Sequence, residues 1–224
     1  MAKNFDHPKI VENYDEHIRQ LIPGYELMHL HILALLETHL KEEAKIAIVG
    51  CGTGFELNYL LDYFPKAEFV VFDPSAAMLE KTNQIVQFKQ QMHRVTILQG
   101  DTTVLQKYPE NFDAVLSILV FHFVSHACKK SFLDDIYHAL KHEGMVMSFD
   151  LMQFEEPNDQ LVLKNLVTKI GLSEKQSQIM LERIHDDFNL MTVKEMKNLY
   201  LQAGYQNLRT FCQMSNFYGL KAVK

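Results

Sequence analysis

Ile46-Ala47-Ile48-Val49-Gly50-Cys51-Gly52-Thr53-Gly54-Phe55-Glu56 decides how the rest of this chain is read. Four apolar residues make a short buried strand, three alternating glycines make a tight turn, and Phe55 opens a helical pattern. Glycine lets a ligand lie against bare main chain, and the helix start beyond it offers unpaired N–H groups. In an open parallel sheet, ligands settle at the carboxyl ends of the strands near the point where strand order reverses. A dinucleotide fingerprint of the form Gly-x-Gly-x-x-Gly requires glycine at position 55, where Phe55 stands. The loop therefore suits a nucleoside carrying a smaller, amino-acid-like group better than a pyrophosphate.

Two acidic positions downstream extend this reading. Phe69-Val70-Val71-Phe72-Asp73-Pro74-Ser75 ends a second strand on Asp73, 23 residues after Gly50. A carboxylate about 20 residues on is where ribose hydroxyls are gripped; the plainer alternative for Asp73 is capping the next helix. Gln99-Gly100-Asp101-Thr102 follows a third strand. There Asp101 can accept the exocyclic amine of adenine while the Thr102 backbone meets the ring; taken alone, Asp101 is an ordinary loop aspartate.

Outward from the loop, strand and helix alternate. A helix over 55–64 ends at Pro65, a strand covers 68–72, and a helix runs from Ser75, its N-cap, to about Gln91. Strands follow at 95–98 and 112–119. A helix is expected over 125–142 with Gly144 as its C-cap, then a strand over 145–149. Five strands separated by helices predict a parallel sheet with right-handed crossovers. Ahead of the loop, residues to about Glu43 read as two helices broken at Pro23-Gly24, the second with an apolar stripe of Leu27, Leu30, Leu33, Leu36 and Leu40. Residues 151–189 read as one or two inserted helices. Thr192 and Glu195 make a capping box, and a strand pair over 205–212 and 216–223 closes the chain. The expected architecture is one α/β domain over 1–224: a Rossmann-like, mostly parallel seven-stranded sheet with an antiparallel last strand, helices on both faces and a helical cap. Within it, 1–43 is the cap, 45–150 the cofactor-binding core, 151–189 a helical insertion or lid, and 190–224 the final helix and strand pair.

Composition narrows the setting. The 224 residues carry a formal charge of -6, which argues against a broad nucleic-acid footprint. Cys51, Cys128 and Cys212 are odd in number and far apart, so neither a disulfide framework nor a structural zinc site is expected, and a reducing, cytoplasmic compartment fits. Met1 to Asp6 shows no apolar signal segment behind it. The longest uncharged run, 114–128, is shorter than the ~20 apolar residues of a membrane span.

In order and kind, the glycine loop, Asp73, Gly100-Asp101, the Phe112-Asp113-Ala114-Val115 strand and His138-Ala139-Leu140-Lys141-His142-Glu143-Gly144 resemble the class I S-adenosylmethionine-dependent methyltransferases. Tyr14, Ile22-Pro23-Gly24-Tyr25 and the closing Asn216 to Lys224 are similar, more narrowly, to the carboxy-S-adenosylmethionine synthases and related small methyltransferases. The resemblance implies S-adenosylmethionine as cofactor, S-adenosylhomocysteine as product and a small-molecule acceptor, in a monomer or homodimer. It places Tyr25 and Ser117 against the cofactor. With Tyr14, Gly50, Cys51, Gly52, Gly54, Asp73, Pro74, Met78, Asp101 and Thr102 they form the expected binding set. The synthase holds the extra carboxylate of its cofactor with an arginine on the inserted helices. Alignment puts Leu181 or Gln178 at that place and leaves Arg183 out of step, which favours ordinary methyl transfer. Carboxy-S-adenosylmethionine synthesis, or cofactor binding without chemistry, are the alternatives.

Methyl transfer is an in-line displacement, so positioning and water exclusion dominate, and a base is needed only for an acceptor that arrives protonated. His122, in Val120-Phe121-His122-Phe123 beyond the fourth strand, is the candidate base; the alternative is a histidine packed among aromatics. His122 and His126 have a metal pair's spacing but no accompanying carboxylate motif, so no metal is expected. Lys129-Lys130 and the charged 151–189 segment read as solvated surface, the latter also as the natural acceptor selector.

Overall fold

The computed structural model describes His7 and residues 11–224; the Met1 to Asp6 stretch read for a signal segment lies outside the described residues. Strands β1 (Lys45–Val49), β2 (Glu68–Asp73), β3 (Val95–Gln99), β4 (Phe112–Ile118) and β5 (Leu140–Leu151) run parallel. Strands β6 (Gln206–Met214) and β7 (Phe217–Val223) complete one sheet in the order β3-β2-β1-β4-β5-β7-β6, with β7 antiparallel to both its neighbours. Strand order reverses between β1 and β4, which pair directly, Val49 opposite Ser117. The loops leaving these two strands diverge and open a crevice at the carboxyl edge.

Both faces of the sheet are covered, which explains the unbroken apolar run of β4. On one face Ile46, Ile48, Val71 and Leu116 pack with α1 (Tyr14–Leu21), α2 (Tyr25–His39), α3 (Phe55–Tyr63) and α4 (Ala76–Phe88). The inserted α6 (Asp159–Ile170) and α7 (Glu174–Asp187) join that layer through Leu163, Val167, Met180 and Ile184. On the other face Ala47, Val49, Phe72 and Val115 meet α5 (Lys129–Ala139) and α8 (Val193–Gln202) through Phe132, Leu133, Ile136, Met196 and Tyr200. The Thr192–Glu195 capping box starts α8 as expected, and a second, Ser173 with Gln176, starts α7.

Four expectations are corrected. The helix read over 125–142 is shorter: a single turn at His126–Cys128 precedes α5, which stops at Ala139. Gly144 is no helix cap but lies in β5 where the register to β4 shifts, Phe112 opposite Leu140 and Ala114 opposite Met145. A β-carbon there would stand 2.8 Å from the Lys141 carbonyl and 2.9 Å from that of Phe112, so the bulge needs glycine. The leucine stripe of α2 is also displaced. Leu33 and Leu36 are buried, but Leu27 and Leu30 are 66% and 61% exposed. The inward face is Tyr25, Met28, His29, Ile32, Leu33 and Leu36, because the helix packs aromatic residues against Phe55 and Tyr59 of α3. Finally, Lys129 is buried rather than solvated. Its Nζ donates to the Phe121 carbonyl at 2.7 Å and sits 4.2 Å from that residue's ring centre, while Lys130 stays exposed and pairs with Asp134.

Candidate active site

The glycine loop is held by β2 and α4. The Cys51 N–H donates to the Phe72 carbonyl at 3.0 Å, and the Gly54 N–H to that of Cys51 at 2.9 Å. Asp73 sits beneath the turn, buried, its Oδ2 accepting from the Gly52 N–H at 3.0 Å and its Oδ1 from the Ser75 N–H at 2.9 Å. Thr82 of α4 donates its hydroxyl to the Gly52 carbonyl at 2.9 Å. From above, Asp15 of α1 accepts the Thr53 hydroxyl at 2.5 Å, tying the cap to the loop.

Two of the glycines answer to different needs. A β-carbon on Gly50 would lie 2.5 Å from Val120 Cγ2, so that position is set by packing as well as by its φ of +61°. Gly52 has φ +53°, and a β-carbon there would meet nothing within 4 Å among the described residues. Bare main chain facing open space beside a strand-end carboxylate fits a nucleoside with an amino-acid tail. Gly54 caps α3 with no side chain of its own.

The remaining residues of the expected binding set occupy this same edge. Met78, buried in the first turn of α4, donates its N–H to Ser75 Oγ at 3.2 Å, and the exposed Pro74 carbonyl accepts from Gln99 Nε2 at 3.0 Å. Asp101 caps the short helix Thr102–Lys107, accepting from the Thr103 N–H at 3.0 Å and its hydroxyl at 2.6 Å, which hold the carboxyl below its ordinary range. Thr102 is buried with its hydroxyl on Asp135 at 2.9 Å. Ser117 is buried, and its Oγ has no hydrogen-bond partner among the described residues. Burial pushes the Cys51 thiol up, so it stays protonated.

Above the loop, the cap supplies Tyr14 and Tyr25, and Tyr25 and His29 form a ring cluster with Phe55 and Tyr59 of α3, the centroids 4.4–5.9 Å apart. Into this cluster projects Glu56, a residue to which the sequence reading gave no role. It is buried, and desolvation raises its pKa to about 7. Its Oε1 lies 3.9 Å from His29 Nε2, and burial draws His29 down to about 3. A glutamate two residues beyond a glycine turn was visible in sequence; only the fold shows that it turns inward.

A cavity of about 160 Å³ lies between the carboxyl edge of the sheet, α1 and α7. Its walls are mostly apolar, among them Ile18, Leu119, Met180 and Phe188; Tyr14, His17, His122, Gln176, Arg183 and Asp187 supply the polar groups. Arg183, out of step in alignment, thus reaches the cavity rim. Phe121 is buried in the core, whereas Phe123 is partly exposed and lines the cavity.

His122 is fixed from three sides. Its Nδ1 lies 3.0 Å from Asp150 Oδ1, both residues being almost wholly buried (4% and 1% exposed). Its ring stacks on Phe188 at 4.5 Å, and its carbonyl accepts from the Asn189 N–H at 2.8 Å. An ionised carboxylate has only lone pairs to offer, so Nδ1 donates and Nε2 keeps the ring's acceptor site. Lys129, drawn down to about 8 by burial, is partly held up by the negative charge of Asp150. Asp150 lay just beyond the strand read from sequence and was not singled out.

Among the described residues, no group of three or more His, Cys, Asp or Glu could hold a metal ion, and no helix is long and apolar enough to cross a membrane.

Comparison with known proteins agrees with this geometry. Residues 48–146 match a family model described as a methyltransferase domain. The carboxy-S-adenosyl-L-methionine synthase of Yersinia pestis is 23% identical over 228 residues, an alignment covering 96% of this chain and 82% of that one. Two solved structures share the fold. A putative O-methyltransferase from Nostoc punctiforme matches with a TM-score of 0.64 at 20% identity, over 90% of this chain and 56% of its own. Phosphoethanolamine N-methyltransferase 2 of Haemonchus contortus, solved with phosphomonomethylethanolamine and S-adenosylhomocysteine, matches with a TM-score of 0.65 at 15% identity, over 87% and 52%. The strand order, the glycine loop and the methyltransferase domain matched over 48–146 support a class I S-adenosylmethionine-dependent methyltransferase.

Proposed function

We propose that this methyltransferase acts on a small molecule held in the cavity between α1, α7 and the carboxyl edge of the sheet, with His122 as the base that receives the acceptor's proton. The observation that carries this reading is the position of Tyr14. It lines the cavity, and its hydroxyl also feels the charges of Glu56, Asp73 and Asp15 around the glycine loop. Cavity and loop are therefore neighbours across one side chain.

The cofactor, when bound, supplies a methyl group on a positively charged sulfur. The loop main chain from Gly50 to Gly54 would hold it, with Asp73 serving the ribose and Asp101, Thr102 and Met78 the adenine. Tyr14, Tyr25 and Ser117 would supply the remaining contacts. Apolar walls keep water from the reacting atoms, and a fixed geometry supplies much of the rate. His122 Nε2 takes the proton as the acceptor's nucleophile forms its new bond, and Asp150 stabilises the imidazolium that results. The two inserted helices, which bring Gln176, Arg183 and Phe188 to the cavity, are the acceptor selector within one continuous domain.

A second reading rests on Arg183. A guanidinium at the cavity rim, with no ion pair among the described residues, suits a carboxylate on the cofactor, as expected of a carboxy-S-adenosylmethionine synthase. One experiment addresses both. Metabolite pools are incubated with the protein and S-adenosylmethionine, and S-adenosylhomocysteine release and new methylated species are followed by mass spectrometry. Turnover with a methylated small molecule supports the first reading. A co-purifying nucleoside heavier by one carboxylate supports the second, and cofactor binding without any product removes both.

A further inference from the structure

We infer that Glu56 is the site that receives the α-ammonium group of the cofactor's amino-acid tail. This rests on the reading that the glycine loop holds S-adenosylmethionine and adds a charged partner for the tail. Glu56 stands in the first turn of α3, two residues past Gly54, and its side chain is 11% exposed. Around it gather Tyr14, Asp15 and Arg19 from α1, Tyr25 and His29 from α2, Tyr59 from α3, Cys51 from the loop and Asp73 from β2. Three of these groups, Glu56, Asp15 and Asp73, are carboxylates that act together on the Tyr14 hydroxyl.

Among the described residues, no cation answers Glu56. Arg19 is engaged with Glu26 at 2.6 Å and with the Asp15 carbonyl, and its guanidinium lies over the Phe55 ring at 4.9 Å. His29 is neutral at ordinary pH, and its Nε2 has no hydrogen-bond partner among the described residues. A buried carboxylate without a cation takes up a proton instead, as its pKa of about 7 reflects. An ammonium group at this place would replace that proton, and Glu56 stands only two residues past the last glycine of the loop, in the first turn of α3.

The cofactor then binds with release of part of a proton at pH 7, and binding tightens as pH rises from 6 to 8 because Glu56 becomes ionised. Calorimetry with S-adenosylmethionine, S-adenosylhomocysteine and 5′-methylthioadenosine, which lacks the amino-acid tail, tests this. Glu56→Gln should weaken the first two by about 10- to 100-fold, as for a lost charge-assisted hydrogen bond, and change the third by less than about twofold. Proton release, read from heats in buffers of different ionisation enthalpy, should vanish in the variant. Unchanged affinity for S-adenosylhomocysteine, or an equal loss for all three ligands, overturns the assignment. If Glu56→Gln binds normally while Asp73→Ala does not, the cofactor site stands and the tail assignment falls. If the wild-type protein binds none of the three, both fall.

Discussion

Two buried histidines each face a buried carboxylate, and their surroundings differ. His122 Nδ1 meets Asp150 at 3.0 Å, within hydrogen-bond distance, on the cavity side of the sheet. His29 Nε2 stops 3.9 Å from Glu56, and its other nitrogen has only the Tyr59 hydroxyl at 3.3 Å. The first pair has a proton donor and a fixed acceptor, so the ring has one defined tautomer and a basic nitrogen. In the second, desolvation outweighs the Coulombic gain: the imidazole is kept neutral and the carboxyl is pushed toward its neutral form. Less than an ångström separates the hydrogen-bonded pair from the one that is not.

The largest effect should come from removing the first ring. His122→Gln is expected to lower turnover by about 100-fold or more, the range for a lost general base, with S-adenosylhomocysteine affinity unchanged. Retained turnover would leave the two histidines alike as packing residues. Asp150→Asn should cost about tenfold to 100-fold, because an amide can leave the ring in the wrong tautomer. Nitrogen-15 correlation spectra of the His122 ring check this without an acceptor. The wild-type protein should carry its proton on Nδ1, and a proton on Nε2 would break the contrast with His29.

How much of this was legible in sequence follows from the range of the interactions. The β1 strand, the glycine turn and Asp73 are neighbours along the chain or one crossover apart, so local pattern placed them to within a residue. The Thr192–Glu195 box, a four-residue signal, was read without error. What escaped depends on packing between distant segments. Lys129 looks like surface until the Phe121 carbonyl is folded against it, and Gly144 looks like a helix end until the bulge opposite Phe112 exists. Asp150 and Glu56 are ordinary acids in the sequence, and their roles depend on His122, 28 residues away, and on the cap.

A pair of glycine variants sharpens the division between packing and binding. Gly50→Ala forces a methyl into Val120 and should destabilise the fold by about 1–3 kcal/mol, as overpacking does. Gly52→Ala meets no atom of the described residues, so its cost in stability is the left-handed backbone that it shares with Gly50, about 1 kcal/mol, while cofactor affinity should fall further than in Gly50→Ala. Denaturant unfolding beside calorimetry separates the two. Equal losses of affinity would mean that Gly52 does not face the ligand.

The smallest effect should come from the second histidine. In His29→Leu an apolar side chain replaces a ring whose Nε2 has no hydrogen-bond partner among the described residues, between Tyr25 and Phe55. The lost contact is the long one to Tyr59, so stability at pH 7 should change by less than about 1 kcal/mol. The two proteins should part on acidification. His29 has a folded pKa of about 3 against an ordinary 6.5, so the unfolded chain binds the extra proton between these values and wild-type stability falls with pH there. Leucine removes that loss. Glu56 titrates with the opposite sign: its folded pKa is raised to about 7 from 4.5, so its contribution fades as pH rises through 7. Measuring His29→Leu in a Glu56→Gln background therefore isolates the imidazole. The variant should gain on its parent steadily from pH 6.5 toward pH 4, and parallel curves would mean that the folded imidazole takes up its proton as readily as the unfolded one.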